Sequence, residues 1–95
     1  MPSAPQSLVD AVKEDIAWIS PREKVTAGNL TDATQLEAGA GLYIYQRKAL
    51  AGRFRKIAKE HSAAPGPIGV GECGKLITVK AAIVLVAKAA GFTYP

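Results

Sequence analysis

Apolar residues recur at Leu8, Val12, Ile16 and Ile19, spacings of four, four and three that draw one stripe along an α-helix. Asp10, Glu14 and Asp15 fall on the wetter side of that stripe. Ser7-Leu-Val-Asp10 resembles a capping box at its start. Ser20-Pro21 closes it, because proline disfavours helical geometry in the residue before it. Met1 to Gln6, with Pro2 and Pro5, reads as a flexible leader, and residues 7–95 as a single globular domain. Ser20-Pro21-Arg22-Glu23 then offers a cap, a first-turn proline and a third-position acid for a second, short helix that Gly28-Asn29 ends. Thr31-Asp32 restarts the pattern, and Ala33, Leu36 and Ala40 supply a modest apolar face before Gly39 and Gly41 interrupt it.

The strongest pattern follows. Tyr43, Leu50, Phe54, Ile57 and His61 lie within about 60° on a helical wheel. Lys48, Arg55 and Lys59 occupy the opposite side, with Lys56 beside them and Arg47 and Arg53 at the margins. The pattern predicts a helix over about residues 44–61. The run from Gly41 to Gln46 also suits a short strand, being aromatic and β-branched, in which case the helix begins near Arg47.

Residues 63–74 are loop-like, with Pro65, Pro67 and four glycines. Ile68 and Val70 alternate with glycine, and Lys75-Leu-Ile-Thr78 follows Gly71-Glu-Cys-Gly74, so a small β-hairpin is expected there. Thr78 caps a final, largely buried helix from Val79 to Ala90 that Gly91 terminates; a strand from Leu76 to Val86 is the competing reading. The fold expected is mostly α, a bundle of four to five helices with a small hairpin, and α+β if both strand readings hold.

Composition narrows the function. With 95 residues, 48% hydrophobic and 21% charged, the chain has room for one ordinary domain. Its net charge of +4 is unevenly spread. Residues 1–42 carry three cations against six acids, a net −3, whereas residues 43–61 carry six cations against Glu60, a net +5. A single cysteine, Cys73, precludes an internal disulfide and fits a reducing, cytoplasmic compartment. The longest apolar run, Ala81 to Ala87, is far short of the ~20 residues that span a bilayer, so no membrane partner is expected.

No residue set suggests catalysis or a bound metal or cofactor. The only histidine, His61, sits at a helix end on its apolar side, where packing and the C-terminal dipole explain it. Gly39-Ala-Gly41 and Gly69-Val-Gly71 are too short for a nucleotide-binding glycine motif. The acids Asp10, Glu14 and Asp15 read as a solvated face. The basic helix is different, because several cations on one rigid face displace the counterions condensed on a nucleic acid. Arg47, Lys48, Arg53, Arg55, Lys56 and Lys59 are the candidate contacts, with Tyr43 and Tyr45 placed to meet sugar-phosphate or stack on bases.

The order of a helix, a Gly-containing turn, a basic helix, a Pro/Gly loop with a hairpin and a capped apolar helix covers residues 30–90. It resembles the small winged helix-turn-helix domains of the MerR, excisionase and phage small-terminase type. Pro65-Gly-Pro67-Ile68, Gly71 to Ile77 and Thr78-Val-Lys-Ala-Ala82 are similar to the tail of those domains. The resemblance implies double-stranded DNA binding in a regulatory or packaging role, with Arg47, Lys48 and Arg53 on a recognition helix and Lys75 on a wing. The same basic face also suits RNA. It suits a protein–protein module too, docking an acidic partner or a second copy through the acidic N-terminal helix.

Overall fold

A computed structural model describes residues 2–95 and consists of four α-helices with almost no strand. Helix α1 spans Gln6–Ile19, α2 Ile44–His61, α3 Val70–Gly74 and α4 Val79–Ala89; a single 3-10 turn occupies Ala27–Asn29. The strand readings of 41–46 and 76–86 are therefore corrected: Ile44 opens α2, and Val79 to Val86 lie in α4.

The three long helices form where periodicity and caps agree. Helix α1 packs on α2 and α4, and Leu8, Val12 and Ile16 are fully buried in one core with Leu50 and Phe54 of α2 and Val79, Ile83 and Val86 of α4. Helix α1 begins one residue before its expected cap, with the Pro5 carbonyl accepting from the N–H groups of Leu8 and Val9 at 3.0 and 3.3 Å. Thr78 caps α4 as expected, its hydroxyl accepting from the Ala81 N–H at 3.1 Å. Gly91, at φ +86°, ends that helix in a Schellman turn, in which Phe92 N–H donates to Ala87 O and Gly91 N–H to Lys88 O.

Two expected helices do not form, and local side-chain bonds explain why. After Ser20-Pro21 the Ser20 hydroxyl donates to Ala40 O at 2.6 Å and Arg22 Nη1 donates to Ala38 O and Gly39 O. The segment is thereby tied to the next loop rather than to itself. Thr26 and Asn29 then exchange reciprocal side-chain bonds that hold only the 3-10 turn. Residues 31–42 form successive turns: Leu36 N–H donates to Ile77 O at 2.8 Å, a tertiary pairing that competes with helix continuation. Leu36 and Ala40 are buried all the same, whereas Ala33 is exposed. Gly41, at φ +75°, ends the turn where a side chain would press on Arg22, its Cβ only 2.8 Å from Nε.

The expected hairpin is also corrected. Residues 70–74 are helical, and the pairing in this region is one isolated antiparallel bridge between Gln35 and Thr78. Strand alternation would bury Ile68 and Val70 together; instead Ile68 and Cys73 are buried and Val70 is exposed. Of the expected leader, Met1 lies outside the described residues. Residues 2–4 are hydrogen-bonded to Thr93, whose N–H donates to Pro2 O and whose carbonyl accepts from Ala4 N–H. No helix among the described residues is long and apolar enough to cross a membrane.

Candidate nucleic-acid interface

Helix α2 carries the candidate residues, and its packing decides which of them face solvent. It touches α1, α3 and α4. Leu50, Ala51, Phe54, Ile57 and Ala58 form its buried side. Tyr43 is extended and its N–H donates to Gln46 Oε1 at 2.9 Å, which starts the helix; Lys59 and His61 occupy the last turn, where the helix dipole favours cations.

Each of the three arginines of α2 bonds to another part of the molecule, Arg47 from a nearly buried position and Arg53 and Arg55 from exposed ones. Arg47 is nearly buried: Nε and Nη2 donate to Gly74 O at 3.1 and 3.0 Å, and Nη1 donates to Leu42 O at 2.7 Å, with Glu37 at 3.9 Å. Arg55 Nε donates to Ile68 O at 2.8 Å. These two side chains, two helical turns apart, grip the carbonyls on either side of α3 and lay it along α2. Arg53 Nε donates to Asp15 Oδ1 at 2.9 Å, and its guanidinium lies 4.1 Å from the centre of the Trp18 ring. Asp15, assigned to a solvated face by the sequence, is in fact the one buried charged residue among the described residues.

The lysines differ. Lys48, Lys56 and Lys59 are exposed, and none forms an ion pair or side-chain hydrogen bond among the described residues. They lie within about 80° of one another on the wheel and span about 16 Å of helix. Ala49 and Gly52, also exposed, keep the surface between them low. The Lys48 stem runs over Gly74, where a Cβ would come within 3.1 Å of its Cγ and Cε, so its ammonium points outward from a packed base. Lys56 lines a shallow depression with Glu14, Asp15 and Glu60, the acidic margin of the face. Lys75 is exposed beyond α3, on a turn instead of a wing.

Tyr43 and Tyr45 are both exposed, and their rings stack with centroids 6.3 Å apart and planes 22° from parallel. Sequence placed Tyr43 on the apolar side of the helix; the extended backbone at residue 43 turns it out instead. Ile44, Val70, Ile77 and Trp18 are further exposed apolar side chains, none of which pattern reading assigned to the candidate surface. Trp18 had a signal, since it lies off the Leu8–Ile16 stripe; Ile44 and Ile77 had none.

The other chemistry-bearing residues are accounted for by packing. Cys73 is fully buried, and its thiol pKa is raised first by that burial, then by the Glu72 carboxylate, with Arg55 opposing. His61 Nε2 and the Ser7 hydroxyl are 3.1 Å apart, joining the end of α2 to the start of α1. Among the described residues no group of three His, Cys, Asp or Glu side chains is arranged to hold a metal ion. No protein-family model matches this chain, and neither a curated protein nor a solved structure matches it.

Proposed function

We propose that this domain binds nucleic acid through the outward face of α2, in a regulatory or packaging role. The observation that carries the reading is the set of three ammonium groups, Lys48, Lys56 and Lys59, that share one exposed face and have no partner among the described residues. Such a face neutralises phosphates and releases their counterions, which gives affinity without requiring a particular base sequence. From the winged-helix comparison the reading keeps a basic helix turned outward. It moves Lys75 to a turn after α3 and gives Arg47, Arg53 and Arg55 structural work. Lysines act as point charges and lack the fork with which arginine pairs to a guanine edge, so contacts to the backbone dominate. The test is fluorescence anisotropy of labelled oligonucleotides across a salt series. Affinity should fall on a log–log plot with a slope of about −2 to −4, the range for three or four lysines. A salt-independent signal removes phosphate contact from the reading.

A protein partner is the second reading, favoured by the exposed apolar side chains Ile44, Val70 and Ile77, with Ile44 one helical turn before Lys48 and Ile77 two residues after Lys75. An acidic partner with an apolar patch would match that surface. A second copy, presenting its acidic α1, would instead show as concentration-dependent mass in light scattering.

A further inference from the structure

The Tyr43–Tyr45 pair has no structural work that explains its exposure. The two side chains are 58% and 67% exposed, although aromatic rings gain most from burial. Their rings stack on each other on the surface at the N-terminal end of α2. Lys48 follows Tyr45 by three residues, nearly one turn, and Lys56 and Lys59 continue along the same side. An aromatic platform therefore opens onto a track of positive charge.

We propose that the preferred ligand is single-stranded nucleic acid, with a base stacked on Tyr45 and the adjoining phosphates running along Lys48, Lys56 and Lys59. The inference rests on the nucleic-acid reading of α2 and narrows it. A duplex hides its base faces within its own stack and offers an exposed tyrosine only its sugar-phosphate edge, whereas every unpaired base offers a π-face. Reading a duplex by its groove edges favours free arginines on a protruding helix. Here Arg47, Arg53 and Arg55 are bonded to Gly74, Asp15 and Ile68, and α1 and α3 pack against α2. The chemistry recognised is a base face and a phosphodiester, common to single-stranded DNA and RNA.

The experiment compares a labelled oligothymidylate of about a dozen nucleotides with a blunt duplex of similar charge, using the full chain, Tyr45→Ala and Tyr45→Phe. The single strand should bind about tenfold tighter than the duplex. Tyr45→Ala should weaken single-strand binding by about tenfold or more and leave duplex binding unchanged, and Tyr45→Phe should stay within about twofold of the parent. Circular dichroism of each variant separates loss of the ring from loss of the fold. Equal binding of both probes, unaffected by Tyr45→Ala, overturns the single-strand inference and leaves the nucleic-acid reading standing. Binding of neither probe at low salt overturns both, and assigns the face to a protein partner. An oligouridylate probe in place of oligothymidylate distinguishes RNA from DNA as the source.

Discussion

Arg47 grips the last carbonyl of α3: its Nε and Nη2 both donate to Gly74 O, at 3.1 and 3.0 Å, while Nη1 donates to Leu42 O. One guanidinium thus joins the entry of α2 to the end of α3. Arg47→Ala should destabilise the domain by about 2–4 kcal/mol, because buried carbonyls lose charge-assisted bonds. Arg47→Lys should recover little of this, since an ammonium cannot span both carbonyls as a planar fork does. Urea denaturation checks it. A midpoint unchanged in Arg47→Ala would show that the bracket contributes nothing.

The three lysines should behave in the opposite way. Replacing Lys48, Lys56 and Lys59 together by Gln should leave stability within about 1 kcal/mol, as expected of exposed sites. The salt slope of nucleic-acid binding should flatten by about 2 to 3. Parallel changes in slope and stability would instead mean that the lysines support the fold.

Asp15, Arg53 and Trp18 form one unit between α1 and α2. Arg53→Ala strands a buried carboxylate and should cost about 1–3 kcal/mol. Asp15→Asn should cost about 1–2 kcal/mol, and the double variant less than the sum of the two. Trp18 is the only tryptophan, so its emission should change in Arg53→Ala, which removes the cation over its ring. Additive energies in the double variant would show that the pair is not coupled.

Tyr94 supplies an alkaline signature. Its hydroxyl donates to Asp32 Oδ1 at 2.7 Å, and its pKa is pushed from 10.0 to about 12 by that bond, with burial and the carboxylate charge adding to it. The folded state therefore holds this proton more tightly than the unfolded chain. The resulting stability is complete below pH 10 and is lost as the pH rises from 10 to about 12. An ultraviolet titration should show one of the three tyrosines ionising late, and Tyr94→Phe should remove that late step and its share of the alkaline instability.

Cys73 should be silent to thiol reagents in the folded protein at neutral pH. Its side chain is fully buried and its pKa is raised, so thiolate and access are both lacking. Labelling should begin only when denaturant opens the domain. Rapid labelling under native conditions would mean that α3 detaches from α2.

Much of the fold was legible because α1, α2 and α4 each combine a helical apolar period with a recognisable boundary. The stripe ending at Ser20-Pro21, the 44–61 pattern and the Thr78–Gly91 pair all hold within a residue or two. The weakly patterned stretches failed. In Arg22–Asn29 and Thr31–Leu42 the local signals suit a helix, but partners distant in sequence take the backbone groups: Ser20 bonds to Ala40, and Leu36 to Ile77. At Gly69–Gly74 the glycine alternation mimicked a hairpin, and the burial of Ile68 and Cys73 rather than Val70 favours a helical turn.

The candidate surface divides along the same line. Charge and periodicity in the sequence determined that a basic helix would exist and end near His61, and that its lysines would lie opposite Leu50, Phe54 and Ile57, while its start was open between Ile44 and Arg47. Only the tertiary structure decided which cations stay free. An arginine on a helical wheel counts as one unit of charge wherever it points, but its five donors satisfy carbonyls that only folding brings near. Gly74 and Ile68 recruit Arg47 and Arg55 in that way, and Asp15 recruits Arg53, a carboxylate that no local pattern marks as buried. The lysines, with compact and strongly hydrated head groups, keep their contact with water and form no ion pair among the described residues.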